Sequence, residues 1–214
     1  MSSFVGHGLA GFYIYASEKR PASTIGKRFW LIWLIIIACF PDIDYAFPSL
    51  RILSSSEQIV RITHSILFSL LLPIITIILL VIGRYKGINI LKNNLNNQDN
   101  HSLIIHSRQA IFAGLSHITL DFIVGVMPLP LLYPFTSETF KFSFGILPSA
   151  GRLSLTNYYF YRNLFIELGI LVPLFYSIYL ITHQRVKTRL AKVKVSCFLL
   201  ISTCFLFWSA SLSR

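Results

Sequence analysis

The chain has 214 residues, of which 54% are hydrophobic and only 13% charged, with a formal net charge of +11. Soluble domains carry about 25% charged residues, so this composition excludes an ordinary soluble protein and reads as an all-α, polytopic membrane protein. No nucleic-acid partner is expected, because the Lys and Arg residues fall in blocks between apolar runs and form no continuous patch interleaved with aromatics.

The first apolar run, Phe4 to Ala16, is shorter than the roughly 20 residues a bilayer crossing requires, and reads as re-entrant or half-spanning. No basic n-region precedes it and it contains a His and several Tyr, so it is expected to stay in the mature protein. The second run, Phe29 to Phe40, is also short and uses Lys27 and Arg28 as interfacial anchors. Ser65 to Gly83 is a full-length span with Pro73 inside it, where a kink is expected. The Asn-rich island Asn93 to His106 reads as a polar loop with His101 and His106 at its surface. Gln109 to Met127 is the next span. Met127 to Ser154 holds Pro128, Pro130, Pro134 and Pro148 and cannot be one helix. It reads as a loop over the bundle whose Tyr133, Phe135, Phe140, Phe142 and Phe144 suit a membrane interface. Leu164 to Thr182, with surface His183 at its end, and Ser196 to Leu212 complete a count of five to six hydrophobic helices in a single integral domain over residues 1–214. Cys39, Cys197 and Cys204 lack a CxxC spacing and read as small buried hydrophobes.

Basic residues set the expected topology. Lys19, Arg20, Lys27 and Arg28, then Arg84, Lys86, Lys92 and Arg108, then Arg185, Lys187, Arg189, Lys192 and Lys194 occupy alternate connections, and the positive-inside rule puts these in the cytoplasm. The connections with Arg51 and Arg61, and with Lys141, Arg152 and Arg162, then lie outside.

Three of the four aspartates, Asp42, Asp44 and Asp121, sit inside or at the ends of these apolar runs, together with His7, His64 and His117. An Asp at the centre of a membrane helix costs roughly 2.5–3.5 kcal/mol on insertion scales and survives when it is paired, binds a cation or faces a wet cavity. His117 and Asp121, four apart on one helical face, can offer two ligands to one ion. Pro41 breaks the preceding helix, and in an extended turn Asp42 and Asp44 would point the same way. Two such carboxylates repel unless a proton or cation lies between them. His64 opens the next span beside the potential caps Thr63 and Ser65. The charge-derived topology puts His7 and all of these on the outer side. Glu167, the remaining intramembrane acid, lies at the outer end of its helix and reads as a further ligand or an acceptor supporting one.

These fragments carry a resemblance. His7-Gly8-Leu9-Ala10-Gly11, Pro41-Asp42-Ile43-Asp44, Thr63-His64-Ser65, Leu115-Ser116-His117 with Asp121, and Leu131-Leu132-Tyr133-Pro134-Phe135 resemble, in this order and over residues 4–145, the YdjM-type family of bacterial inner-membrane metal-dependent hydrolases. The helices at 163–182 and 196–212 lie beyond that core. The chain departs from the family pattern before Thr63, where Ile59, Val60 and Arg61 stand in place of a His-Arg-Gly run and an extra ligand or general base is missing. The ligand order is also similar to that of zinc-dependent phospholipase C, but nothing after Asp121 supplies that family's later His and His-x-x-x-Glu, which leaves a one- or two-metal cluster at most.

The resulting expectation is a divalent metal, zinc first and manganese or iron as alternatives, held by His7, Asp42 or Asp44, His64, His117 and Asp121. The unliganded member of the Asp42/Asp44 pair is the expected proton acceptor. The expected substrate is an ester or phosphoester of a lipid or lipid-linked molecule, with Arg51 and Arg61 either holding phosphate or anchoring the interface. Competing readings are an ion or metal transporter and a non-catalytic protein in which the metal staples helices. A transport pathway calls for polar residues through the membrane depth, whereas these gather at one side.

Overall fold

The computed structural model describes residues 3–17, 26–53, 59–90, 97–125, 127–142, 145–149, 156–183 and 185–212. Among them six α-helices dominate: α1 (Phe4–Ser17), α2 (Lys27–Cys39), α3 (Ile66–Ile90), α4 (Asn97–Val124), α5 (Tyr158–Thr182) and α6 (Arg189–Ser211). Between α2 and α3 the chain makes two 3-10 turns, Phe40–Tyr45 and Pro48–Leu50, a short antiparallel ladder of β1 (Arg51–Leu53) with β2 (Ile59–Arg61), and a third turn, Ile62–His64.

α2 stops where Pro41 withdraws a backbone donor; the Phe40 N–H instead closes back on Ile37 O and the chain tightens into the 3-10 turn. Along α2, Trp30, Leu34, Ile37 and Ala38 face Ala110 and Ala113 of α4, forming one apolar core. A second core joins Ala10 of α1 and Leu120 and Val124 of α4 to Ile166, Ile170 and Leu171 of α5. α1 thus contacts α2, α4 and α5, while α3 lies along α4 and α6 along α5. Close approach is set by two glycines. A Cβ on Gly11 would stand 3.0 Å from Leu34 O and Ile35 Cα of α2, and one on Gly114 would stand 2.5 Å from Ser69 O of α3. Small residues at such crossings let membrane helices meet backbone to backbone.

The exterior is apolar, with Leu79 60%, Leu200 67% and Phe207 74% exposed, while His7, His64, His117, Asp44 and Glu167 are fully buried. Among the described residues three helices are long and apolar enough to cross a bilayer: α3 over Ile66–Arg84, α5 and α6. The count of five to six is therefore too high for full-length spans, and Gln109 to Met127, expected to be one, lies largely on α4, which is not apolar enough to be counted. α1 and α2, at 14 and 13 residues, rise only about 1.5 Å per residue against a hydrocarbon core of about 30 Å.

Three further expectations change. The polar island does not remain a loop: α4 begins at Asn97 and its polar first turns extend the apolar helix outward, while residues 93–96 lie outside the described residues. His106 is not solvated but 4% exposed, edge-on to Trp30 with ring centroids 4.6 Å apart, and its Nδ1 donates to Ser102 O at 2.7 Å. Cys197 and Cys204 are exposed on the outer face of α6 rather than buried, and Cys39 is half-buried. The proline-rich stretch after α4 is non-helical through its described residues; Leu129 bridges Phe140, and Leu131 O accepts the Ile66 N–H at the head of α3.

Candidate metal centre

Four chain segments deliver the cluster: the first turns of α1 bring His7, the 3-10 turn after α2 brings Asp42, the turn before α3 brings His64, and the last turns of α4 bring His117 and Asp121. His64 Nε2 lies 3.2 Å from Asp121 Oδ2 and 3.5 Å from Asp42 Oδ1. His117 Nε2 lies 3.6 Å from Asp121 Oδ2, 3.9 Å from Asp42 Oδ1 and 3.3 Å from His64 Nε2. His7 Nε2 lies 3.5 Å from Asp121 Oδ1 and 3.9 Å from Asp42 Oδ2, its ring stacked on that of His117. None of the five residues is more than 3% exposed.

Two rings are oriented from behind. His117 Nδ1 donates to Ala38 O at 2.8 Å, leaving the Nε2 lone pair turned toward the carboxylates, where a cation between them could take it up. Thr63 Oγ1, fully buried, stands 3.0 Å from His64 Nδ1. Partners of this kind hold metal-ligating imidazoles in the required tautomer. Both nitrogens of His7 and Oδ1 of Asp42 are buried without a hydrogen bond among the described residues. A buried polar atom left in that condition costs about 1–3 kcal/mol, and a cation at the centre of the cluster would meet that demand. Two overlapping triads, His7 with Asp42 and His117, and His64 with His117 and Asp121, have donor atoms close enough to share an ion. The residues present therefore fit a divalent cation with mixed nitrogen and oxygen ligands. Burial lowers the basicity of His64, yet its contacts with Asp121 and Asp42 outweigh burial and raise its pKa above the ordinary value, a measure of how strongly the two acids call for positive charge.

Asp44 does not join the cluster. The expectation that it points with Asp42 assumed extended backbone, but in a 3-10 turn each residue advances about 120°, so positions i and i+2 diverge. Its carboxylate is bound in a fork by Arg61 Nε and Nη2, and Arg51 Nε donates to it at 3.0 Å. Burial favours the neutral acid, but the Arg61 hydrogen bonds and charge, with help from His64 and Arg51, hold the Asp44 carboxyl below the usual range. Arg51 and Arg61 face one another across the ladder, and both guanidinium groups lie over the Tyr45 ring. These arginines therefore serve Asp44 first, and Arg61 Nη2 also comes within 3.5 Å of Asp42 Oδ1.

Glu167 is fully buried at the α5–α1 contact, where both of its oxygens accept the Ser3 N–H, at 3.1 and 3.2 Å. The sequence pointed to neither the Ala38 carbonyl nor Ser3, and it offered Thr63 as a helix cap, whereas its hydroxyl instead meets His64 Nδ1. A cavity of about 830 Å³ runs beside the cluster and does not open onto it: Ala10 and Leu120 line it, along with Phe112, Leu147, Leu171 and Phe175, whereas the five cluster residues do not.

The chain belongs to the YdjM inner membrane protein family, whose model matches residues 1–210 and so runs through α5 and α6. No curated protein and no solved structure matches it.

Proposed function

We propose that this protein is a multi-pass, membrane-bound, metal-dependent hydrolase of an ester or phosphoester on a lipid or lipid-linked substrate, with its centre toward the outer face of the bacterial inner membrane. The observation carrying this reading is the convergence of three imidazoles and two carboxylates, from four chain segments, in one buried cluster. His7, Asp42, His64, His117 and Asp121 would hold the cation, zinc being the first candidate for such a donor set and manganese or iron the alternatives. Bound there, it supplies Lewis acidity and a water whose pKa falls toward about 7.

The chain's own residues divide the remaining work. Asp44, the member of the pair outside the cluster, is committed to two guanidinium groups, so a proton would have to pass to whichever Asp42 oxygen the cation leaves free. The Arg61 Nη2 that touches Asp42 is the group best placed to meet an anionic substrate oxygen. The outer placement rests on Arg84, Arg108 and Arg185 lying toward the helix ends remote from the cluster.

Elemental analysis of the purified protein, followed by turnover on a panel of phospholipids and lipid esters, tests the reading. Stoichiometric zinc, manganese or iron with turnover that Asp42→Asn removes is the expected result. Protein that takes up none of these ions overturns it. A second reading, a metal that staples the bundle without catalysis, is favoured by the sealing of all five residues from the surface; it predicts bound metal, no turnover, and loss of fold on metal removal.

A further inference from the structure

The two-helix unit α5–α6 contributes no residue to the cluster, yet it buries one carboxylate completely where α1 begins. Glu167 accepts the Ser3 N–H with both oxygens. Ser3 in turn organises the first turn of α1: its Oγ accepts the Gly6 N–H at 3.0 Å, and its carbonyl accepts the His7 N–H at 3.1 Å. An unbroken series of hydrogen bonds thus leads from a buried acid on α5 to the backbone of His7. The His7 imidazole makes no hydrogen bond among the described residues; it is located by its stacking on His117, by its contacts of 3.5 and 3.9 Å with Asp121 and Asp42, and by the backbone that carries it. Helices fray from their ends, where four N–H groups lack intrahelical partners, and His7 lies only three residues past the first residue of α1. Without the tie at Ser3, the turn bearing His7 would be the least constrained part of the cluster. His64, His117 and Asp42 need no such tie, since they are held by Thr63, by Ala38 and by a turn closed on both sides.

We infer that Glu167 is a positioning residue: it fixes the first turn of α1 so that His7 faces Asp42 and Asp121, making the α5–α6 unit part of the metal centre without lending it a ligand. The inference rests on the metal reading above and adds to it the dependence of the His7 side of the cluster on α5. It also gives the buried acid a role in the fold: a carboxylate bound to a backbone N–H at a helix start answers both an end-of-helix donor and the positive end of the helix dipole.

The test uses full-length protein in detergent, loaded with Co²⁺, its affinity measured by chelator competition and its ligand field read in the visible spectrum. Glu167→Gln should weaken Co²⁺ binding by about 10-fold, the lower end of what loss of a supporting partner costs a metal site. Glu167→Asp, which keeps the charge, should recover part of that loss. Against a His7→Ala background Glu167→Gln should have no further effect, because the residue acts through His7. Hydrogen exchange should quicken at Ser3 to His7 in Glu167→Gln while the end of α4 stays protected. Unchanged Co²⁺ affinity in Glu167→Gln, or an equal loss with and without His7, would overturn this inference alone. Wild-type protein that takes up no Co²⁺ would instead overturn the metal reading.

Discussion

Asp42 and Asp44 are two residues apart on one 3-10 turn and equally sealed from solvent, yet they inhabit different chemistry. Asp42 faces three imidazoles, each of which can offer a ring nitrogen to an ion. Asp44 faces two guanidinium groups, which stay charged at any accessible pH. The difference shows how a chain with few acids can keep one carboxylate available for an ion while spending its neighbour on architecture. An imidazole neighbourhood is exchangeable and accepts a metal; a guanidinium fork is saturated and does not. Arg61, touching both carboxylates, marks the border between the two regions.

The comparison breaks most visibly if the imidazole side proves structural. His117→Ala and Asp121→Asn should each abolish bound metal and any turnover while the protein remains inserted and monodisperse, since both residues lie on α4 and the long apolar helices α3, α5 and α6 keep their sequence. Metal content and size-exclusion profiles of the two variants check this, and full metal occupancy in both would remove the distinction between the two sides. On the guanidinium side the expected pattern is reversed. Arg61→Ala leaves Asp44 buried with its principal partner gone, which should cost about 3–5 kcal/mol, seen as a lower Tm with or without metal. Replacing both members, as Arg61→Met with Asp44→Leu, should recover much of that loss.

A smaller effect separates the two by pH. The Asp44 pKa is depressed in the folded protein, so its stabilisation is fully present above the unfolded value of about 3.9 and is lost as pH falls through the lower folded value. The Tm difference between wild type and Asp44→Asn should therefore be largest near neutrality and shrink below about pH 4. Smallest of all is Arg51→Ala. With its side chain 32% exposed, Arg51 should contribute no more than about 1 kcal/mol, and a Tm loss matching that of Arg61→Ala would show the two arginines to be equivalent.

Much of this arrangement was legible before folding. The His117/Asp121 pair needed only helical periodicity, and the cost of placing acids in hydrocarbon singled out Asp42 and Asp121. The assignment of Asp44 failed because a tripeptide after proline does not say whether the backbone will be extended or wound as a 3-10 turn, and that choice alone sends the second carboxylate elsewhere. His106 was misplaced because polar residues flank it in sequence, whereas its partner, Trp30, lies on another helix. The tie from Glu167 to Ser3 joins positions 164 apart, and no local pattern announces a backbone donor as the partner of a distant acid.

The crossing of α3 and α4 at Gly114 acts as a gauge. Ser69 O, which a Cβ on Gly114 would strike, lies five residues beyond His64, and Gly114 lies one turn before His117. The distance between these two imidazoles is therefore dictated by main chain resting on main chain, not by side chains that could shift to suit an occupant. A centre built in this way has little freedom to widen, and it should discriminate among cations by radius.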